Sequence, residues 1–163
     1  MSSQLFSTEE NADFECFPLQ EPVRVHMKKV FVPFGMNKDH SIKFEFSTNE
    51  SLIAYNTMLE TEQKQHAFIQ SKNQEKGNQF VVMYKHKCNK KQKYHPTVLC
   101  KMPTGRRGTM FSAVVTHAKA GCIATAYTLK GKTVDAVVEM THCWMKNGFA
   151  SGHWLVRSIL VHP

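Results

Sequence analysis

Long apolar runs are missing from this 163-residue sequence, so we expect no membrane-spanning helix. The first twenty residues also lack the positively charged start and the apolar block that together make a secretory signal peptide. We therefore expect a reducing compartment, nuclear or cytoplasmic. In such a compartment the five cysteines are better explained as free thiols or metal ligands than as a disulfide framework.

Two segments of the chain each lack charged residues of one sign. Residues 1–22 hold five acidic side chains and no basic one, whereas residues 85–107 hold eight basic side chains and no acidic one. The second excess equals the net charge of +8. Such a segment favours a polyanionic partner, because basic side chains that neutralise phosphates release bound counterions. Interleaved Tyr84, Tyr94 and His95 favour nucleic acid over a merely solvated loop.

Carboxylates are scarce in the second half of the chain, where only Asp135 and Glu139 follow residue 75. A transposase catalytic core needs several carboxylates brought together, so we expect no such core here. We leave the question of an enzyme uncertain, with a non-enzymatic role preferred. The alternative is a small phosphoester-cleaving enzyme acting on RNA or nucleotides by general acid–base catalysis. Its candidate residues are His117, Tyr127, Lys130 and His142.

The chain divides into an acidic leader and one domain. Residues 1–22 combine charge of one sign with little apolar periodicity, which is typical of a flexible segment. Residues 23–163 are long enough to bury a core of their own. A third interpretation is a viral or host protein-interaction module. In that case the leader would be the docking segment and the basic segment would only confer solubility.

A helix is predicted over residues 48–61. Ser47 followed three residues later by Glu50 is typical of a capping box, and Leu52, Tyr55 and Leu59 recur at helical spacing. We expect these three apolar side chains to be buried against a sheet.

Short strands are predicted on both sides of that helix, because apolar and polar residues alternate between turn signals. Val134, Ala136, Val138 and Met140 alternate with polar residues, which indicates a sheet with one solvated face. The predicted class is α+β, with one helix packed on an antiparallel β-meander. The predicted strands are VRVHMKKVFVPF, HSIKFEF, HAFIQS, QFVVMYKH, MFSAVVTH, CIATAYTL and TVDAVVEM.

Cysteine and histidine form one local cluster in the basic segment. His86, Cys88, His95 and Cys100 are spaced H-x-C-x6-H-x4-C. Thiolate and imidazole are the donors that zinc prefers. No Cys-x-x-Cys turn is present, so the spacing matches no standard zinc finger, and an exposed basic loop is the alternative.

A wider pattern resembles a known family. The segment FSTNESLIAYNTMLE is followed by FVVMYKHKC, a basic insertion, AGC before a short strand, and a strand ending in histidine. Over about residues 44–144 this order resembles the zinc-binding DNA-recognition domains of WRKY/GCM and FLYWCH type, found in Mutator-like transposases and proteins derived from them. The resemblance implies a four-stranded sheet, a structural zinc, and an exposed strand that enters the DNA major groove.

The same resemblance implies Cys88, Cys122 and His142 as zinc ligands. The chain departs from the family pattern, because Met140 stands where a second histidine is expected and a thioether is a poor zinc ligand. A zinc-free core is the alternative. The candidates for a fourth donor are His117, Cys143 and His153.

The sequence therefore predicts a nucleic-acid-binding domain that prefers double-stranded DNA, and the resemblance implies that it is derived from a transposon. The basic segment would contact phosphates, which position a protein on nucleic acid without reading its sequence. The predicted contacts are Lys85, Lys87, Lys90, Lys91, Lys93, Tyr94, Lys101, Arg106 and Arg107.

Overall fold

The computed structural model describes residues 14–91, 93–103, 114–117 and 129–162. These residues form one helix and nine strands, so the predicted α+β class is confirmed. In the described part no helix is long and apolar enough to cross a membrane. The elements are β1 (Phe14–Val32), β2 (Ser41–Glu45), α1 (Asn49–Glu75), β3 (Met83–Tyr84), β4 (Cys88–Asn89), β5 (Thr97–Lys101), β6 (Val114–His117), β7 (Lys132–Lys146), β8 (Phe149–Gly152) and β9 (Leu155–Val161).

Five of these strands close into a barrel. β1 pairs with β2 and with β7, β2 pairs with β5, and β9 bridges β5 and β7. The β5–β9 pair is parallel, and the other four pairs of the barrel are antiparallel. β4 adds to β5, β6 to β9, and β8 with β3 to the free edge of β7.

A simple antiparallel meander is not what the structure shows. A meander pairs each strand with the next one in the chain, but here β9 inserts between β5 and β7. The sheet is consequently mixed, with parallel pairs at β3–β8, β5–β9 and β6–β9. The barrel closes because β9 forms backbone hydrogen bonds with both β5 and β7, whose edges would otherwise have unpaired N–H and C=O groups.

The core lies inside the barrel and under α1. Alternate residues of the barrel strands point inward, as a period of two requires. The inward set predicted for β7 is confirmed, since all four of its members are almost completely buried. Buried residues of the barrel strands include Val25, Met27, Ile42, Phe44, Val98, Val134, Ala136, Val138, Met140, Val156 and Ile159.

The first part of β1 covers residues that the sequence assigns to a flexible leader. Phe14 pairs with Lys146 and Pro18 with His142, and the register shifts between Pro18 and Val23. Residues 14–22 are therefore part of the barrel strand, and the predicted boundary at residue 22 does not separate leader from domain. The acidic composition of this segment does not prevent it from forming a strand, because the backbone groups of any extended segment can pair in a sheet. Residues 1–13 lie outside the described residues.

The helix α1 begins where it was predicted and ends later. Its N-cap is Thr48, which forms a capping box with Ser51 rather than the predicted box of Ser47 and Glu50. Tyr55 is buried, as predicted, while Leu52 and Leu59 are partly buried and pack against the core.

The strand predicted for HAFIQS is wrong, because those residues belong to the 27-residue helix. Ile69 in that segment is fully buried in a second cluster with Val82 and Cys143. A short apolar run fits a helix and a strand equally well, and here tertiary contacts decide. The strand predicted for QFVVMYKH is reduced to β3, and CIATAYTL lies outside the described residues except for Leu129.

Candidate nucleic-acid interface

The outer surface of β2 and β5 forms an open face of the barrel. The two strands pair antiparallel, with Ser41 opposite Lys101 and Glu45 opposite Thr97. Ile42 and the residues in phase with it point into the core. Side chains of the other phase therefore point outward. These outward residues are Ser41, Lys43 and Glu45 on β2 and Thr97, Leu99 and Lys101 on β5.

A groove of about 330 Å³ lies on one half of this face, and we call it the β2–β5 groove. Pro33 and Phe34 of the β1–β2 loop border it, and so do Glu45, Asn89, Tyr94 and Thr97. Lys43, Lys91 and His95 are among the side chains that line it. Positive and aromatic groups from three separate parts of the chain thus meet at one site.

Two large aromatic side chains at this groove are open to solvent. Phe34 is 66% exposed and Tyr94 is 71% exposed. The Nζ atom of Lys43 lies 5.8 Å from the centroid of the Phe34 ring, within the range of a cation–π contact. Single exposed apolar side chains are ordinary, but Phe34 and Tyr94 line the same groove, and grouped exposed apolar area is a candidate binding surface.

The three lysines between β4 and β5 are exposed, as the sequence predicts. Lys90, Lys91 and Lys93 form no ion pair with described residues. Their charge is therefore available to an external anion. The predicted contacts Arg106 and Arg107 lie outside the described residues.

The other predicted contacts lie at different places, so the basic segment does not form a single patch. Lys85 places its Nζ atom 4.8 Å from the ring centroid of Phe149, which is on β8. Lys87 and Lys101 line a second, smaller cleft at the far end of β2 and β5. Among the predicted contacts that the structure describes, Lys91 and Tyr94 line the β2–β5 groove itself.

Sequence reasoning missed Phe34 and Lys43, because both are far from the basic segment in the chain. A phenylalanine beside Gly35 in a short loop between two strands was a usable signal. Gly35 has a φ of +73°, so the chain turns sharply there and leaves Phe34 projecting at the rim. The pairing of β2 with β5 then brings Lys43 beside the basic segment.

A buried glutamate anchors the start of the basic segment. Glu62 on α1 is fully buried, and its carboxylate accepts hydrogen bonds from the backbone N–H groups of Lys87 (3.1 Å) and Cys88 (3.2 Å). Trp154 Nε1 donates to it at 3.1 Å, and His86 Nδ1 lies 3.0 Å away. A buried carboxylate is costly unless it is hydrogen-bonded, and three of these four contacts come from the basic segment, which they hold against the helix.

The local H-x-C-x6-H-x4-C cluster is not assembled as a metal site. In the described part of the chain no three His, Cys, Asp or Glu side chains converge in a way that could hold a metal ion. His86 contacts Glu62, whereas His95 is exposed at the β2–β5 groove. Burial, and then the nearby Glu62 carboxylate, raises the pKa of the Cys88 thiol well above its usual range.

The zinc set implied by the resemblance stays a prediction. Cys88 lies on β4 and His142 on β7, but Cys122 is outside the described residues. His142 Nδ1 is 3.0 Å from the hydroxyl oxygen of Thr141. Of the residues in the enzymatic alternative, Tyr127 is likewise outside the described residues.

A five-stranded Greek-key barrel of this kind is an OB-type fold, and the β2–β5 groove lies over its second and third strands. No protein-family model matches the sequence, and a search of curated proteins finds no match. Among solved structures, the chain is similar to gp2.5, described as a single-stranded DNA binding protein encoded by bacteriophage T7. The TM-score is 0.58 and the identity 8%, over 87% of each chain, so the likeness concerns the fold.

Proposed function

We propose that this protein binds single-stranded nucleic acid in the β2–β5 groove. The observation that carries the proposal is the pair of exposed aromatic side chains, Phe34 and Tyr94, at a groove lined by Lys43 and Lys91. Bases stack on such rings, and lysines beside them neutralise the phosphates of the same strand.

A single strand suits this groove better than the duplex that the sequence analysis prefers. Bases in a duplex already stack on one another, whereas exposed protein rings need unpaired bases as partners. The likeness in fold to gp2.5 supports the same choice. Stacking tolerates every base, so we expect weak sequence preference, with both DNA and RNA as candidate ligands.

The test is fluorescence anisotropy with a labelled oligothymidine of about 15 nucleotides, close to the upper site size of a single OB fold. Phe34→Ala and Tyr94→Ala should each weaken binding by about 5- to 150-fold, which corresponds to about 1–3 kcal/mol of stacking per base. The matched control is Phe68→Ala. Phe68 is 46% exposed but lies on α1, outside the groove, and its loss should leave affinity unchanged.

Two further ligands sharpen the test. A hairpin duplex of equal length should bind more weakly than the single strand. An RNA strand of the corresponding sequence tests whether the protein prefers deoxyribose or ribose. Tighter binding to the hairpin, with no effect of Phe34→Ala or Tyr94→Ala, would overturn the proposal in favour of duplex binding.

A further inference from the structure

A second cleft lies on the same face of the barrel, at the opposite end of β2 and β5. Lys101, the last residue of β5, donates its backbone N–H to the Trp154 carbonyl at 2.8 Å, which places the neighbouring His153 beside the strand. Lys87 lies directly before β4, which pairs with β5. Lys87, Lys101, His153 and Asp39 line this cleft of about 90 Å³.

The cleft holds two ammonium groups and one carboxylate, that of Asp39, whose pKa is lowered by hydrogen bonds from Ser41 and then by the nearby Lys101. Lys87, Lys101 and His153 form no ion pair with any described residue. The carboxylate of Asp39, at the rim, accepts hydrogen bonds from the hydroxyl and the backbone N–H of Ser41, at 2.6 and 3.1 Å. Burial, followed by the nearby lysines and His142, lowers the pKa of His153, because each of these disfavours the charged imidazolium.

We propose that this cleft binds one phosphate group. Two lysine ammonium groups and an imidazole converge from three segments of the chain, and a tetrahedral oxyanion can accept hydrogen bonds from all of them. The cleft is much smaller than the β2–β5 groove, so it suits a single phosphate and not a nucleobase. A bound monoanion would balance the net positive charge that two lysines and one carboxylate leave in the cleft.

The phosphate has two chemical sources. It can be a phosphodiester of a strand that continues from the β2–β5 groove, and in that case the inference rests on the proposed function. It can also be a free or terminal phosphate, which needs no strand in the groove. Both sources present the same oxygens, so the experiment has to separate them.

The first arm uses inorganic phosphate alone, titrated at constant ionic strength and followed by tryptophan fluorescence. Trp144 is a reporter, since its ring centroid lies 6.4 Å from that of His153. We expect a saturable change, and Lys101→Ala should weaken the phosphate affinity at least about fivefold. Lys64→Ala removes the same charge from α1 and should have no effect. Absence of saturable binding in both fluorescence and calorimetry overturns a site for free phosphate and leaves the phosphodiester to the second arm.

The second arm compares one oligonucleotide with a 5′-phosphate or a 5′-hydroxyl end. An internal phosphodiester predicts that Lys101→Ala and Lys87→Met weaken both forms equally, while a terminal phosphate predicts a loss only for the phosphorylated form. If oligonucleotides bind wild type and both variants equally and inorganic phosphate does not bind, the cleft is not a phosphate site although the proposed function stands. Lys101-dependent phosphate binding without any oligonucleotide binding would support the phosphate site and overturn the proposed function.

Discussion

Charged side chains form ion pairs on one face of the barrel and do so much less on another. On β1, β7 and β9, Glu139 accepts hydrogen bonds from Arg24 at 2.7 and 3.1 Å and from Arg157 at 3.1 Å. On the same face Asp135 lies 3.6 Å from Lys28 and 2.7 Å from His162. On the β2–β5 face the described lysines form no such ion pairs, and two aromatic rings stand exposed beside them.

This difference supports the proposed position of the ligand on the β2–β5 face. Paired charges on a surface contribute little stability and present little net field to the surroundings. In the β2–β5 groove the lysines outnumber the one carboxylate, Glu45, and they form no ion pair with described residues. Such lysines can replace the counterions of a polyanion, and the release of those counterions favours binding. The contrast therefore favours the β2–β5 face over the paired face as the proposed binding surface.

The largest expected effect comes from reversing charge on the binding face. Replacing Lys90, Lys91 and Lys93 by Glu should weaken single-strand binding on the order of 100-fold and flatten its salt dependence, since each phosphate contact contributes a slope of about −0.7. The fold should persist, because all three side chains are exposed. The measurements are anisotropy at several salt concentrations and a thermal melt.

A matched triple variant tests whether position or net charge matters. Lys64, Lys72 and Lys76 lie on or just after α1 and form ion pairs with Glu60, Glu75 and Glu15. Replacing these three by Glu changes the net charge equally and should weaken binding far less. Equal losses in the two triple variants would mean that binding follows overall charge and not the groove.

A smaller effect on affinity is expected from single lysine substitutions, one on each face. Lys43→Ala should weaken binding several-fold and reduce the salt slope by about 0.7, because Lys43 is beside Phe34 in the groove. Lys28→Ala removes a charge that faces Asp135 and should leave both affinity and slope unchanged. The measurement is a titration of both variants with oligonucleotide at two salt concentrations. Equal salt slopes for Lys43→Ala and Lys28→Ala would mean that the two faces do not differ in phosphate contact.

The smallest effect concerns stability on the paired face. Hydrogen bonding to Arg24, and then to Arg157, holds the pKa of Glu139 below its usual value. Its stabilising contribution is therefore present at neutral pH and is lost as the pH falls through the depressed pKa. Glu139→Gln should lower the free energy of unfolding by at most about 1 kcal/mol at pH 7, because Arg24 is largely exposed.

Denaturant unfolding at pH 7 and at pH 3 checks this, and the difference between wild type and Glu139→Gln should shrink at the lower pH. Oligonucleotide affinity should not change in the variant. A persistent difference at pH 3 would mean that the side chain acts through packing and not through its charge.

Local patterns in the sequence predicted much of the framework. The helix start, the inward residues of β7 and the strands at residues 23–32 and 41–45 follow from period and capping, which depend on neighbours within a few residues. The end of α1 could not be predicted in this way. Its last turns are stabilised by contacts with a distant part of the chain, where His66 Nε2 lies 2.7 Å from the Val82 carbonyl oxygen.

The sequence by itself determined that several lysines and Tyr94 occur together in one segment that contains no acidic residue. Composition of this kind is read directly from neighbouring positions in the chain. Only the tertiary structure decided what that segment faces. Pairing of β2 with β5 brings Lys43 and Phe34 to Tyr94, and the parallel contact of β9 with β5 brings His153 to Lys101. Such pairings join residues far apart in the chain, and they follow from the closure of the barrel, which no local pattern encodes.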